Sequence, residues 1–526
     1  TRKESSAASD VYKRQRQMSM PISLNNISLE WPNGTTCFEG LNAVFDSRLT
    51  GLIGDNGSGK SSLIKIILGQ LEPTSGSVER PTNIAYLPQD LTLRADDTVA
   101  DVFGATEILN AIASVEAGEF DPQLFETIGD RWDIAAEITA TLSAHGLDLP
   151  LDRTLNTLSG GETVRVALAA LFSGAPDFVV LDEPTNNLDH HAKEQLIRVL
   201  EAASVPVLVA SHDRDLLQSA TEIAELHDGR LRMFSGNFSA YKETLAQEQE
   251  SAIRGVRDAK ANHRKQVKER EAMQTRIDRD ARRGKKFAAS KRKPGMAMGL
   301  DKDRSEKTAA RRGSAHAGAV EGALAAYNKA QEKVRDDQAV FIDLPGTELP
   351  NGTRVLDIPG LTVVGPERVR ITGPNGSGKT TLLNSIASGQ AGYVIDDVGY
   401  LRQRITLNPE LTVLELVTQT NLEAEPQYIR DQLAQLLFQN DTVHAPVGTL
   451  SGGERFRVEL ARILLSHPAP KLLLLDEPTN NIDISTVDWL VSALDSYAGA
   501  IVLVSHDEDF CARIGLTREV TIETLQ

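Results

Sequence analysis

The sequence predicts an α/β protein built twice over, with two buried parallel sheets joined by a long basic helical hairpin. Three observations carry this expectation. Several short motifs occur twice in the same order, the runs beside them are uniformly apolar, and residues 238–293 between the copies hold no proline. The chain has 526 residues, whereas single cores stop growing near about 250–300.

The repeat begins with Gly54-Asp55-Asn56-Gly57-Ser58-Gly59-Lys60-Ser61-Ser62, echoed by Gly373-Pro374-Asn375-Gly376-Ser377-Gly378-Lys379-Thr380-Thr381. Leu158-Ser159-Gly160-Gly161-Glu162 returns as Leu450-Ser451-Gly452-Gly453-Glu454, and the run Leu181 to Asp189 returns as Leu475 to Asp483. Ser211-His212-Asp213 matches Ser505-His506-Asp507, and 30 residues separate Asp182 from His212 and Asp476 from His506 alike. These copies place one domain at 21–240 and another at 338–526. Phe178-Val179-Val180-Leu181 and Leu472-Leu473-Leu474-Leu475 have the unbroken apolar character of strands covered on both faces of a parallel sheet.

The connector, 241–337, is rich in helix formers and holds only Gly255 and Gly284 as far as Lys293. Pro294-Gly295 and Gly299 break it, and a second helical stretch runs from about Asp301 to Val334, which makes a hairpin with an arm of about 65 Å. Charge is distributed unevenly. Residues 251–312 carry a net +13 against −17 for the whole chain, so everything else sums to −30. Residues 1–17 are polar, lack the apolar core of a signal peptide and stand outside the fold as non-native upstream sequence or a disordered tail. No run reaches the roughly 18 apolar residues of a membrane span. Two cysteines, Cys37 and Cys511, suit a reducing cytoplasm better than a disulfide framework.

Each motif supports a definite chemistry. The glycine loops fit a phosphate cradle, in which successive backbone N–H groups curl around the phosphates and Lys60 or Lys379 reaches the β- and γ-phosphates. Ser61 and Thr380 offer a hydroxyl to Mg2+, joined by Asp182 and Asp476 at the ends of their strands and by Gln89 and Gln403. Glu183 and Glu477 are placed to polarise a water for attack on the γ-phosphate. An acidic pair after a strand can also be a simple helix cap. His212 and His506 would hydrogen-bond the transferred group. The implied ligands are ATP and Mg2+.

Together these residues resemble the ATP-binding cassette superfamily, with the Ser-Gly-Gly-Glu signature as the discriminating element. The resemblance implies two P-loop cassettes in which each signature covers the ATP of the other. Lys60 would then share a site with Ser451, Gly452, Gly453 and Glu454, and Lys379 with Ser159, Gly160, Gly161 and Glu162. Cassettes stack adenine on an aromatic residue ahead of the phosphate loop; Trp31-Pro32-Asn33-Gly34 fits that place, while the matching Leu349-Pro350-Asn351-Gly352 offers leucine. Trp31 could equally be core packing.

Two cassettes, no membrane segment and a long charged connector resemble the ABC-F family of translation factors and ribosome-protection proteins, as does Ser235-Gly236-Asn237-Phe238-Ser239-Ala240-Tyr241. That resemblance implies a cytoplasmic monomer whose ATP-closed cassettes bind the ribosome at the tRNA exit site, with the connector directed towards the peptidyl-tRNA. Arg282, Arg283, Lys285, Lys286, Lys291, Arg292 and Lys293 would neutralise phosphates of ribosomal RNA; the bland reading of such a run is a solvated helix face. A fused pair of ATPase subunits serving a separate membrane transporter shares every ATP motif, but has no use for the basic hairpin.

Overall fold

The computed structural model describes residues 20–32, 34–89, 96–158, 160–186, 188, 190–289, 317–331, 333–334, 344–374, 376–422, 424–436, 438, 440–480 and 482–525. Residues 1–17, Ser159, Asn375, Lys291, Arg292 and Lys293 lie outside these, as does the 294–299 break. The described parts of 1–238 and 338–526 form one compact unit, and those of 239–337 form another.

In the first unit each half is an α/β sandwich. The first half has a six-stranded sheet ordered Ile84–Leu87, Phe178–Asp182, Val207–Ala210, Leu49–Ile53, Glu222–His227 and Arg230–Ser235, parallel except for the last pair. The second has five parallel strands ordered Val398–Leu401, Leu472–Asp476, Ala500–Val504, Arg368–Thr372 and Arg518–Thr521. Phe178–Asp182 and Leu472–Asp476 are buried at every position, as uniform apolar composition demands of a strand covered on both faces. Because each is a central strand ending in Asp, the sheet carries that carboxylate to the edge where the glycine loops emerge.

The loops lead into helices Lys60–Leu68 and Lys379–Ala387. Gly59 adopts φ 100°, and a Cβ there would lie 2.6 Å from Cys37 Sγ, so both backbone angle and space require glycine.

A small antiparallel layer distinguishes the halves. In the first, Ile22–Glu30 pairs with Thr36–Phe45 out to Glu30↔Thr36. In the second, Arg354–Ile358 pairs with Leu361–Val364 and the hairpin closes at Ile358↔Leu361 through Pro359-Gly360. Phe45 and Val364 stand equally far before their phosphate loops, yet 36–45 is one strand and 355–364 is a whole hairpin. Among the described residues, the distal half of the layer has no counterpart in the second copy. Gly360, at φ 77°, closes the turn against Thr524, whose carbonyl oxygen would lie 2.5 Å from any Cβ.

The stretch from Gln89 to Leu158 spans 69 residues, against 47 from Gln403 to Leu450. The excess forms the helices Thr106–Glu116, Pro122–Ile128 and Ile134–Ala144.

In the second unit, Phe238–Ala289 is one continuous helix of 52 residues, about 78 Å long. Its side chains are mostly exposed, with Glu250–Arg254 (2.6 Å) and Lys265–Glu269 (4.0 Å) one turn apart on its surface. Residues 317–331 are also helical. Arg282, Arg283 and Lys286 are exposed on the long helix; Lys285 belongs to its backbone, and its side chain is outside the described set.

Candidate nucleotide-binding site

The glycine loop between Leu49–Ile53 and Lys60–Leu68 bends back on its own lysine. Lys60 Nζ donates to the carbonyls of Gly54 (2.6 Å) and Asp55 (3.1 Å), and Lys379 Nζ to those of Gly373 (2.7 Å) and Pro374 (2.9 Å). Burial lowers the Lys60 pKa, opposed by Glu183, Asp483, Asp55 and Asp182 around it. A desolvated ammonium on such a loop is poised to exchange carbonyls for phosphate oxygens.

Trp31, Asn56, Gly57, Gly59, Lys60, Ser61, Ser62, Gln89, Asp182, Glu183 and His212 line one cavity of about 250 Å³. The sequence places these residues up to 181 positions apart, and the fold brings them together. Ser61 donates to the Asp182 carboxylate, and Thr380 Oγ1 donates to Asp476 Oδ1 at 3.3 Å. Desolvation raises the pKa of both aspartates. Hydroxyl, carboxylate and the Gln89 amide form an all-oxygen donor set of the kind Mg2+ prefers. The fit is therefore chemical, and Ser61, Asp182 and Gln89 are the residues that would hold the ion.

Glu183 and Glu477 follow their strands with φ 49° and 47°, an unusual conformation for glutamate. Their backbone N–H groups still bond across the sheet, to Ala210 O and Val504 O at 2.8 Å, so the turn begins one residue beyond the ladder. This aims each carboxylate at its histidine, with Glu183 Oε1 and His212 Nε2 3.4 Å apart and Glu477 Oε1 and His506 Nε2 also 3.4 Å apart. Burial pushes Glu183 up to about 8, with Asp182 adding repulsion and Lys60 opposing, and pushes Glu477 up to about 7. Burial together with Lys60 drives His212 down to about 3. Glu183 Oε1, both His212 ring nitrogens and Ser58 Oγ are buried without a hydrogen-bond partner. Orphaned donors and acceptors around one cavity fit a polar guest.

The second half meets the glycine loop that lines the first cavity. Asn56 N donates to Asp483 Oδ2 (2.8 Å), and Ser485 Oγ donates to Asp55 Oδ1 (2.8 Å). Ser451 and Glu454 form a reciprocal cap on the signature helix Gly452–Leu464, and a Cβ on Gly452 would stand 3.9 Å from Asn56 Nδ2. Thus the Ser451 signature faces the Lys60 loop. Gly160, Gly161 and Glu162 begin the corresponding helix Gly160–Ser173.

Sequence reasoning missed Asp483 and Ser485 as site residues. Asp483 ends a repeated motif, which was a usable signal; Ser485 has no such mark. The match of Leu349 to Trp31 is corrected by the structure. Leu349 is 9% exposed and packs under Gly365, where a Cβ would sit 2.5 Å from its Cδ1. That is before Arg368–Thr372, a strand about 17 Å long that ends at the phosphate loop. A shared Pro-Asn-Gly motif at nearly the same distance from the loop did not survive the difference in the hairpins.

The family described as ABC transporter matches residues 43–186 and 356–480, covering both glycine loops and both Asp-Glu pairs. The tylosin resistance ATP-binding protein TlrC of Streptomyces fradiae is 32% identical over 94% of this chain and 96% of its own length. ABC transporter F family member 2 of Arabidopsis thaliana is 29% identical over 94% of this chain and 76% of its own. This chain belongs to the ABC-F family. Another ABC-F relative, the energy-dependent translational throttle protein EttA of Mycobacterium tuberculosis, is 32% identical over 88% of this chain and 84% of its own length. The tandem-cassette fold also recurs in an archaeal ribosome recycling factor solved with a ribosomal stalk protein, with TM-score 0.54, 20% identity and coverage of 94% and 87%. As in other ABC-F proteins, the ATP-binding cassettes lie in one chain, and no described helix is long and apolar enough to cross a membrane.

Proposed function

We propose that this ABC-F protein hydrolyses ATP at two composite sites and, with its cassettes closed on ATP, binds the ribosome to modulate translation or protect it from ribosome-targeting drugs. The observation that carries the reading is the single cavity lined by Lys60, Ser61, Asp182, Glu183 and His212 and faced by Asp483 from the other cassette. The loop amides and Lys60 hold the triphosphate, and Asp483 fixes the loop through Asn56 so that closure and binding are linked. Ser61, Asp182 and Gln89 would hold Mg2+, which would supply charge neutralisation to the phosphates. Glu183 orients the attacking water and is placed to accept its proton. His212 stays neutral and offers an N–H to the γ-phosphate. Lys379, Thr380, Asp476, Gln403, Glu477 and His506 take the same roles in the second site, with Gly160 and Gly161 opposite.

The names of TlrC and EttA support a ribosomal partner, and the +13 connector supports contact with ribosomal RNA and tRNA through Arg282, Arg283 and Lys286. We assign 21–240 and 338–526 to the cassettes and 241–337 to the connector, in a cytoplasmic monomer.

The test is Glu183→Gln with Glu477→Gln. Turnover of ATP should fall by about 100-fold or more while binding persists, because the phosphate loops are untouched. The double variant should pellet with 70S ribosomes in ATP and slow protein synthesis in vitro. Near-normal turnover removes the catalytic assignment, and no pelleting removes the ribosomal one.

A further inference from the structure

We infer that Lys193 is a positioning residue for both ATP sites: its buried ammonium joins Asp213 to Asp507, the residues that directly follow His212 and His506, and so holds the two histidine turns together. The inference rests on the proposed hydrolysis at two composite sites and adds a physical link between them.

Lys193 stands in the first turn of the helix His190–Ala202 and is 7% exposed, a setting lysine tolerates only when paired. It does not line the cavity around Lys60. Its Nζ lies 2.5 Å from Asp213 Oδ2 and 3.9 Å from Asp215 Oδ2. Burial alone would strip its proton, but Asp213, Asp215 and, from the other cassette, Asp507 outweigh burial and hold the ammonium above its usual range. Its charge is therefore engaged on both sides of the junction.

Each aspartate also fixes a turn. Asp213 accepts from Leu216 N (2.9 Å) and sets the step from His212 into the helix Arg214–Gln218. Asp507 accepts from Phe510 N (2.9 Å) and sets the step from His506 into the helix Glu508–Arg513. Burial pushes the Asp507 pKa up and Asp213 adds repulsion, while Lys193 and Arg214 oppose them. Two buried carboxylates that repel one another need a cation. Arg214 is bound to Asp488 and Asp509, so that task falls to Lys193. At the equivalent place in the second cassette, four residues past the Asp that ends the repeated motif, stands Val487, which is 6% exposed and carries no charge. One ammonium thus serves a pair of acids related by the duplication, and a displacement of either histidine turn is transmitted to the other.

Steady-state ATP turnover of the full chain, read as a double-mutant cycle, tests this. Lys193→Met keeps most of the side chain's length and removes its charge. It should lower kcat about tenfold while KM for ATP stays within about twofold, because a residue outside the cavity acts on the histidines and not on ATP binding. Losing one of two equal and independent sites would cost only about twofold, so the larger fall marks an effect at both. Asp507→Asn retains an oxygen to cap Phe510 and should lower kcat about fivefold. Added to Lys193→Met it should cost less than about twofold more, since its partner is already gone. Losses that multiply would show that Lys193 and Asp507 act separately and would overturn the inference. An unchanged kcat for Lys193→Met beside a lowered melting temperature would overturn it too, leaving the lysine a structural role only. Should Lys193→Met not fold, Lys193→Gln, which keeps a donor, runs the same cycle. If the unaltered chain hydrolyses no ATP, the reading of two hydrolytic sites falls and takes this inference with it.

Discussion

Arg214 and Glu508 hold the same place in the two cassettes, one residue past Ser-His-Asp, and their charges are opposite. Arg214 leaves its own cassette to bind Asp488 Oδ1 (2.6 Å) and Asp509 of the other. Glu508 is held within its own cassette by Arg370, which also binds Glu519 (2.7 Å) and the Ser505 carbonyl (3.0 Å). Arg370 in turn stands where the first cassette has Gly51, a glycine packed so closely that a Cβ would lie 2.5 Å from Leu217 Cδ2. One position therefore serves packing in one copy and ion pairing in the other. Duplication supplied two equivalent frames, and the charges between and behind them have since been divided into an outward grip and an inward one.

The largest effect should come from the inward grip. Arg370 is 5% exposed with three partner groups, so Arg370→Met should cost about 3 kcal/mol by leaving two glutamates and a carbonyl unpaired. Urea denaturation gives the measurement, and a loss under about 1 kcal/mol would show that solvent replaces the arginine. The outward grip should matter less to stability and more to turnover. Arg214→Glu sets three acids together and should lower ATP turnover about tenfold through poorer closure, equivalent to about 1.4 kcal/mol. Unchanged steady-state phosphate release would make the bridge a bystander.

The smallest effect compares Glu183 and Glu477 through pH. Each has a folded pKa above its unfolded value, so the stability it allows is present below about pH 4.5 and is lost as pH rises through about 8 for Glu183 and about 7 for Glu477. Glutamine does not ionise. Without nucleotide, Glu183→Gln should raise the melting temperature by about 2 °C or more at pH 8, and Glu477→Gln by less. Both gains should vanish near pH 4.5. A gain that does not change with pH would place the cause in packing.

Much of this was legible in the sequence because it is local and repeated. The phosphate loops, the Asp-Glu pairs at strand ends and the long helix follow from motifs and composition within short windows. The clasp between cassettes does not. Asn56 and Asp483 lie 427 residues apart, and Arg214 and Asp509 lie 295 apart, so no local pattern announces either pair. Leu349 shows a different failure. Matching by motif ahead of a glycine loop assumes the same strand pairing in both copies, and a shortened hairpin breaks that assumption while changing the distance to the loop by a single residue.

The reversal at Arg214 and Glu508 also decides which halves can find each other. If the second cassette met another copy of itself in the same geometry, Glu508 would take the place of Arg214 and confront Asp488 and Asp509, leaving Arg513 as the cation beside three acids. Such a mismatch disfavours the wrong partner more than it strengthens the right one. While the chain is being made, the first cassette emerges before the second, so a newly completed second cassette already has a first one on its own chain. The charge at one position then serves as an address, directing each second cassette to a first one, and the tether of the same polypeptide makes the nearest correct address its own.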